Sequence, residues 1–169
     1  MPTLAMVTPV SIIFTDYVNY DAGYRLKVPN SLSHTTSEGV KFSNYQVFTG
    51  TPDSTRLVIE AINTEGTQYY VPNTYHNGST GSPLVDRETI GAKIIKNEEI
   101  SISDRLGHKL EYITNYTGIP VWNEEYLIYY GDRTYWVTFS TPEDQKSVWS
   151  ETADKILNSF EISTYSNPI

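Results

Sequence analysis

The sequence predicts an α+β domain in which a mainly antiparallel sheet is closed by an amphipathic C-terminal helix. Three observations carry that expectation. Residues 99–141 hold four period-two segments whose connections are too short for a parallel crossover. Residues 141–162 switch to helical spacing behind a Thr-Pro-Glu-Asp start. The 169-residue chain carries 14 Tyr but only 38% apolar and 19% charged residues, the balance of a β-rich domain held together by aromatic and β-branched side chains. A chain of this length folds around one core by default.

The first element is a hairpin over Ser11 to Pro29, "SIIFTDYVNYDAGYRLKVP", turning at Asp21-Ala22-Gly23. Tyr24, Leu26 and Val28 fall on one face of its second strand, and Arg25 and Lys27 on the other. Pro29 ends the ladder by removing a donor. Residues 30–39, "NSLSHTTSEG", are a loop by composition. Residues 40–50 and 55–66 are strands separated by Pro52-Asp53, and in the second Leu57, Ile59 and Ala61 alternate with Val58, Glu60 and Ile62, so both faces are partly covered.

Residues 68–83 form a strand end running into an exposed loop. Over 83–96 the spacing of Leu84, Glu88, Ala92 and Ile95 predicts a helix, with Asp86 early and Lys96 late as the dipole prefers and Gly91 weakening it. The meander follows as 99–103, 107–116, 121–130 and 133–141, broken at Asp104-Arg105, Gly118 to Pro120 and Gly131-Asp132. In the final helix Thr141 is the expected N-cap, Pro142 the first helical residue, and Glu143 and Asp144 the answer to the dipole. Val148, Trp149, Thr152, Ala153, Ile156, Leu157 and Phe160 form its apolar stripe. Burying the five large members contributes on the order of 10 kcal/mol gross, before chain entropy is subtracted.

Composition bounds the function. A net charge of −8 repels nucleic acid. With no cysteine there is no disulfide, thiol nucleophile or thiolate metal site. No run of about 18 apolar residues exists to span a membrane as a helix. The opening "MPTLAMVTPVSIIF" lacks the basic and continuous apolar regions of a signal peptide. The expectation is a domain whose leader, lipid anchor or tether lay upstream and was removed, with Met1 added for expression. That places it outside the cytoplasm: secreted, periplasmic, lumenal or tethered at the cell surface. The expected organisation is an N-terminal extension over 1–15, one domain over 16–163 and a tail over 164–169.

Candidate chemistry is sparse. His34, His76 and His108 fit no HxH or HxxxH spacing. Asp104, His108 and Glu111 are the candidate metal residues, set against the plainer reading of His108 as an exposed strand histidine. Glu124 and Glu125 are adjacent in a strand, so they point to opposite faces and cannot pair as catalytic carboxylates; Glu98 and Glu99 share that constraint. No serine lies in a nucleophile elbow, and "NGSTGSP" lacks a strand-turn-helix context. Asn77 and Asn115 open NxS/T sequons. Tyr69, Tyr70, Tyr75, His76, Trp122 and Tyr126 compose a candidate interaction surface, since exposed Tyr and Trp mark recognition sites; cross-strand aromatic packing is the alternative. No catalytic motif is found, so the expectation is a non-enzyme, with a hydrolase or carbohydrate-binding protein as the alternative.

Three segments, "GYRLKVPNSL", "EISISDRLGHKLEY" and "RTYWVTFSTPEDQKSVWSETADKILNSFEI", resemble the PsbP family, whose fold is shared with the Ran-binding protein Mog1. The likeness runs from about Asn19 to Ile162, its most specific piece being the last strand, the helix and "ILNSFEI". Family members tend to show "GY.f.YP..W", whereas here Pro29 is followed by Asn30, Ser31 and Leu32 without a Trp. The resemblance implies an α/β/α sandwich on a mainly antiparallel sheet and a non-catalytic accessory role. It further implies a protein partner at an extracytoplasmic membrane surface or membrane complex, and in some members calcium, manganese or zinc held by carboxylates and histidines.

Overall fold

The structure is a computed structural model that describes residues 12–40, 43–50, 54–63, 91–115, 117–131 and 133–163. Its elements run β1 (Phe14–Asn19), β2 (Tyr24–Pro29), β3 (Leu32–Val40), β4 (Ser43–Gly50), β5 (Arg56–Asn63), β6 (Lys93–Ile102), β7 (Arg105–Thr114), β8 (Val121–Tyr130) and β9 (Arg133–Pro142). A 3-10 turn (Glu143–Gln145), helix α1 (Lys146–Asn158) and the short β10 (Glu161–Ile162) complete them. Seven strands form one sheet in the order β3-β4-β5-β9-β8-β7-β6, and β1-β2-β10 form a second. Every pairing in both is antiparallel.

The helix and the small sheet lie against one face of the large sheet. Tyr24, Leu26 and Val28 from β2 meet Phe48, Leu57, Ile59, Trp122, Tyr126, Val137 and Phe139 from the large sheet and Trp149, Ala153, Ile156 and Leu157 from α1 in one buried cluster. On the opposite face Leu110, Tyr112 and Leu127 are also buried. The hairpin turn is anchored to the large sheet: the Tyr135 hydroxyl and Arg133 Nη1 both donate to Ala22 O, at 2.8 and 3.0 Å. Gly23 supplies the left-handed conformation (φ +70°) that closes the turn, and its N–H donates to Asn19 O.

The meander is present as expected, and four other expectations are corrected. Residues 32–40 are not a loop: β3 pairs along β4 as the sheet's edge strand, with a register shift between His34 and Thr36. An edge strand needs little apolar alternation, so its Ser- and Thr-rich composition does not preclude pairing. Of the predicted helix over 83–96, residues 83–90 lie outside the described residues, while Lys93–Lys96 belong to β6, with Ile94 opposite Tyr112. The helical spacing of Ala92 and Ile95 was coincidental, and cross-strand packing overrides it. The boundary at 15/16 cuts a paired strand, because Phe14 and Thr15 already face Pro29 and Val28. Residues 164–169 lie outside the described residues.

The fourth correction concerns the helix start. β9 runs through Pro142, and α1 begins at Lys146 without a side-chain cap. Thr141 sits opposite Trp122, and its hydroxyl lies 2.8 Å from that of Thr55. The later start also shifts the buried stripe: Trp149, Thr152, Ala153, Ile156 and Leu157 face inward, while Val148 is 66% exposed. Thr141→Val is therefore expected to cost about 1 to 3 kcal/mol by leaving the buried Thr55 hydroxyl unpaired. Far-UV circular dichroism of the folded variant should show unchanged helix content; a loss of helix would restore the capping role.

Candidate functional site

The alternation of β7 and β8 places Lys109, Glu111, Trp122, Glu124 and Tyr126 on the face that α1 covers, with Glu111 opposite Glu124 and Lys109 opposite Tyr126. Helix spacing brings Lys146, Asp154 and Asn158 over them. Lys109 Nζ lies 2.5 Å from Glu124 Oε1 and 2.9 Å from Asp154 Oδ1, bridging sheet to helix. A second bridge joins Lys146 to Glu111, whose Oε1 also accepts the Trp122 indole N–H at 2.8 Å. The Tyr126 hydroxyl donates to Asn158 Oδ1 at 2.6 Å.

Burial sets the electrostatics of this cluster. Desolvation pushes the Glu124 carboxyl up to about 7, only partly opposed by Lys109. Desolvation alone would lower Lys109, but its bonds to Glu124 and Asp154 prevail and hold it above the ordinary lysine range. Burial likewise works to raise Glu111 and Asp154, yet Lys146 and Trp122 hold the first below the usual carboxylate range and Lys109 the second. On the other face Glu125 Oε2 accepts from the Tyr112 and Thr138 hydroxyls, each at 3.0 Å.

A cleft of about 690 Å³ opens elsewhere, where the C-terminal end of α1 meets the small sheet. Its walls include Phe14 and Leu26, and its rim carries Asp16, Arg25, Lys27, Lys155 and Glu161. Neither Glu111, Glu124 nor Asp154 lines it. Along β1, an edge strand among the described residues, and its flanks, Ile12, Ile13, Val18 and Tyr20 are exposed.

The structure separates the candidate metal residues. His108 and Glu111 are three apart on β7, so they face opposite sides of the sheet, and Glu111 is occupied by Lys146 and Trp122. Asp104 sits exposed in the β6–β7 turn at φ +59°. Among the described residues no group of three His, Asp or Glu side chains could hold a metal ion. Trp122 and Tyr126 are 1% and 4% exposed, beneath α1, so they belong to the core and not to a recognition surface. Tyr69, Tyr70, Tyr75, His76 and Asn77 lie outside the described residues. The network of Lys109, Glu124 and Asp154 escaped the sequence reading. A glutamate inside the apolar, aromatic run of β8 was its one available signal.

No protein-family model matches the sequence, and no curated protein matches it either. Solved structures do. The cyanobacterial PsbP of Synechocystis superposes with a TM-score of 0.59 at 15% identity, over 96% of this chain and 98% of that one. LpqN of Mycobacterium tuberculosis, described as involved in cell envelope biogenesis, gives a TM-score of 0.60 at 12% identity, over 90% and 91%. A Bacteroides thetaiotaomicron protein gives 0.56 at 11% identity, over 91% of this chain and 50% of that one. The chain thus has the PsbP-like fold, and no helix among the described residues is long and apolar enough to cross a membrane.

Proposed function

We propose that this chain is a non-catalytic accessory domain that binds a protein partner at an extracytoplasmic membrane surface. The observation that carries the reading is the separation of the perturbed carboxylate from the cleft. A hydrolase brings a carboxylate of shifted pKa to an open pocket where substrate can reach it. Here Glu124 lies between sheet and helix with Lys109 upon it, and the cleft is lined by other residues. Each acid of the cluster is engaged by a partner within the fold, so its shifted pKa reports fastening of α1 to the sheet.

The same fold in a cyanobacterial PsbP and in an envelope-biogenesis protein supports the accessory role and the extracytoplasmic setting. Burial of Leu110, Tyr112 and Leu127 away from α1 fits the two-sided covering of an α/β/α sandwich. The partner is engaged along β1. Four exposed large apolar side chains lie within residues 12–20, beside a strand edge that has no pairing partner among the described residues. Such edges and apolar patches are where chains associate.

A photocrosslinking amino acid at position 20, introduced in the source cells, is expected to trap one discrete protein. The adduct should disappear when Val18 and Ile13 are changed to Asp. A probe at position 97 on the distant edge strand β6 should trap nothing comparable. Equal adducts from both positions, or turnover of ester, glycoside or phosphate substrates by the purified chain, would contradict the reading.

A further inference from the structure

We infer that the cleft between α1 and the small sheet is a binding site for a small organic anion, a carboxylate carried on an aromatic or alkyl body. The inference stands on the cleft alone and does not depend on the protein partner. Its volume, about 690 Å³, is in the range of small-ligand pockets.

The lining supplies both halves of such a ligand. Phe14, partly buried, supplies the apolar wall, since the Leu26 side chain faces the core. Opposite it the polar groups offer more free donors than acceptors. The Lys27 ammonium makes no ion pair among the described residues, although its backbone N–H donates to Ser159 Oγ. Among the described residues Lys155 is paired only with Glu151, one turn earlier on the exposed side of the helix. Asn158 Oδ1 already accepts the Tyr126 hydroxyl, which leaves its NH₂ as the group available to a ligand. Ser159 Oγ is consumed, accepting from Lys27 N–H and donating to Ile156 O. On the acidic side, Glu161 is held by Arg25 at 2.5 Å, so among the described residues Asp16 is the one carboxylate of the lining without an ion pair.

The rim therefore carries Arg25, Lys27 and Lys155 against Asp16 and Glu161, a positive excess on a chain whose net charge is −8. A cation would meet the Lys27 and Lys155 ammonium groups, whereas a carboxylate would accept from both and from the Asn158 amide together. The long-range field of the chain opposes anions in general. Recognition consequently depends on these local donors and on the apolar wall, which selects for a ligand with both features.

The test uses 3-phenylpropionate as probe, with 3-phenylpropanol and 3-phenylpropylamine as the neutral and cationic counterparts, followed by amide NMR on the full chain. Saturable shifts are expected at Lys27, Ser159 and the Asn158 side-chain NH₂ with the carboxylate, and much weaker binding of the other two. Lys27→Gln and Lys155→Gln, both at exposed positions, should each weaken the carboxylate roughly tenfold. Lys93→Gln, on the far edge of the large sheet, should leave it unchanged. Equal binding of the neutral alcohol, shifts mapping away from the cleft, unaltered affinity in both variants, or no saturation by the carboxylate would each overturn the assignment.

Discussion

Phe160→Ala is expected to destabilise the fold by about 3 to 5 kcal/mol, the usual range for truncating a fully packed core aromatic. The residue follows the last turn of α1, is 2% exposed, and stacks on Tyr24 with ring centroids 5.6 Å apart. It also meets Tyr135 edge-on at 5.7 Å. One side chain thus joins the helix end, the small sheet and the large sheet. Chemical denaturation with an unchanged m-value would measure the loss. A change below about 1 kcal/mol would mean the site collapses freely, so that Phe160 does not hold the layers together.

The second large effect belongs to Lys109. Changing it to Met removes the cation from the buried Glu124 and from Asp154, and losing one partner of a buried pair costs about 3 to 5 kcal/mol when the other stays charged. The cost depends on pH. Glu124 has a folded-state pKa of about 7, above its ordinary value of 4.5, so the folded chain holds this proton more tightly than the unfolded chain. Its contribution is therefore fully present below pH 4.5 and lost as pH rises through 7, a swing of roughly 3 kcal/mol from 1.36 kcal/mol per unit. Asp154 has the opposite sign: its depressed pKa contributes stability that is lost as pH falls below the ordinary aspartate value of 3.8. Lys109→Met should accordingly be much less damaging at pH 5, where Glu124 is protonated, than at pH 8. Glu124→Gln should flatten the stability profile between pH 5 and 8. Equal damage by Lys109→Met at both pH values would show that Glu124 is not the buried charge that Lys109 serves.

These two sites also show what the sequence could reveal. The four strands of the meander were legible over 99–141, though not the start of β6 at Lys93, because period-two alternation and two- to six-residue connections leave few other topologies. Phe160 was legible for a similar reason, since it continues the helical stripe. Edge strand β3 was not, because a strand with one bonded neighbour can be built from Ser, Thr and His without an apolar pattern. The start of α1 was misplaced because Thr-Pro-Glu-Asp fits a cap locally, and only the pairing of Thr141 with Trp122 and Thr55 shows that the strand continues.

The polar cluster was hidden for a deeper reason. Alternation tells which face a residue takes, so Glu124 and Glu125 were correctly set on opposite faces. It does not tell how deeply each face is covered. Glu124 is 3% exposed because α1 lies over it, and Asp154, which shares Lys109 with it, comes from 30 residues further along the chain. For the same reason Trp122 and Tyr126, which resemble a recognition surface in one dimension, are core residues in three. Strand β1 was legible as a strand, but its position at an edge among the described residues followed only from the sheet order.

The reading of this chain as an interaction domain is tested most directly by the affinity of the protein trapped through position 20, measured by calorimetry against three folded forms. Wild type and Glu124→Gln should bind it equally, because the buried carboxylate serves the fold. Val18→Asp combined with Ile13→Asp should abolish binding while leaving the melting temperature near that of wild type. Loss of binding in Glu124→Gln, with full binding by the β1 variant, would contradict the assignment and move function to the buried cluster.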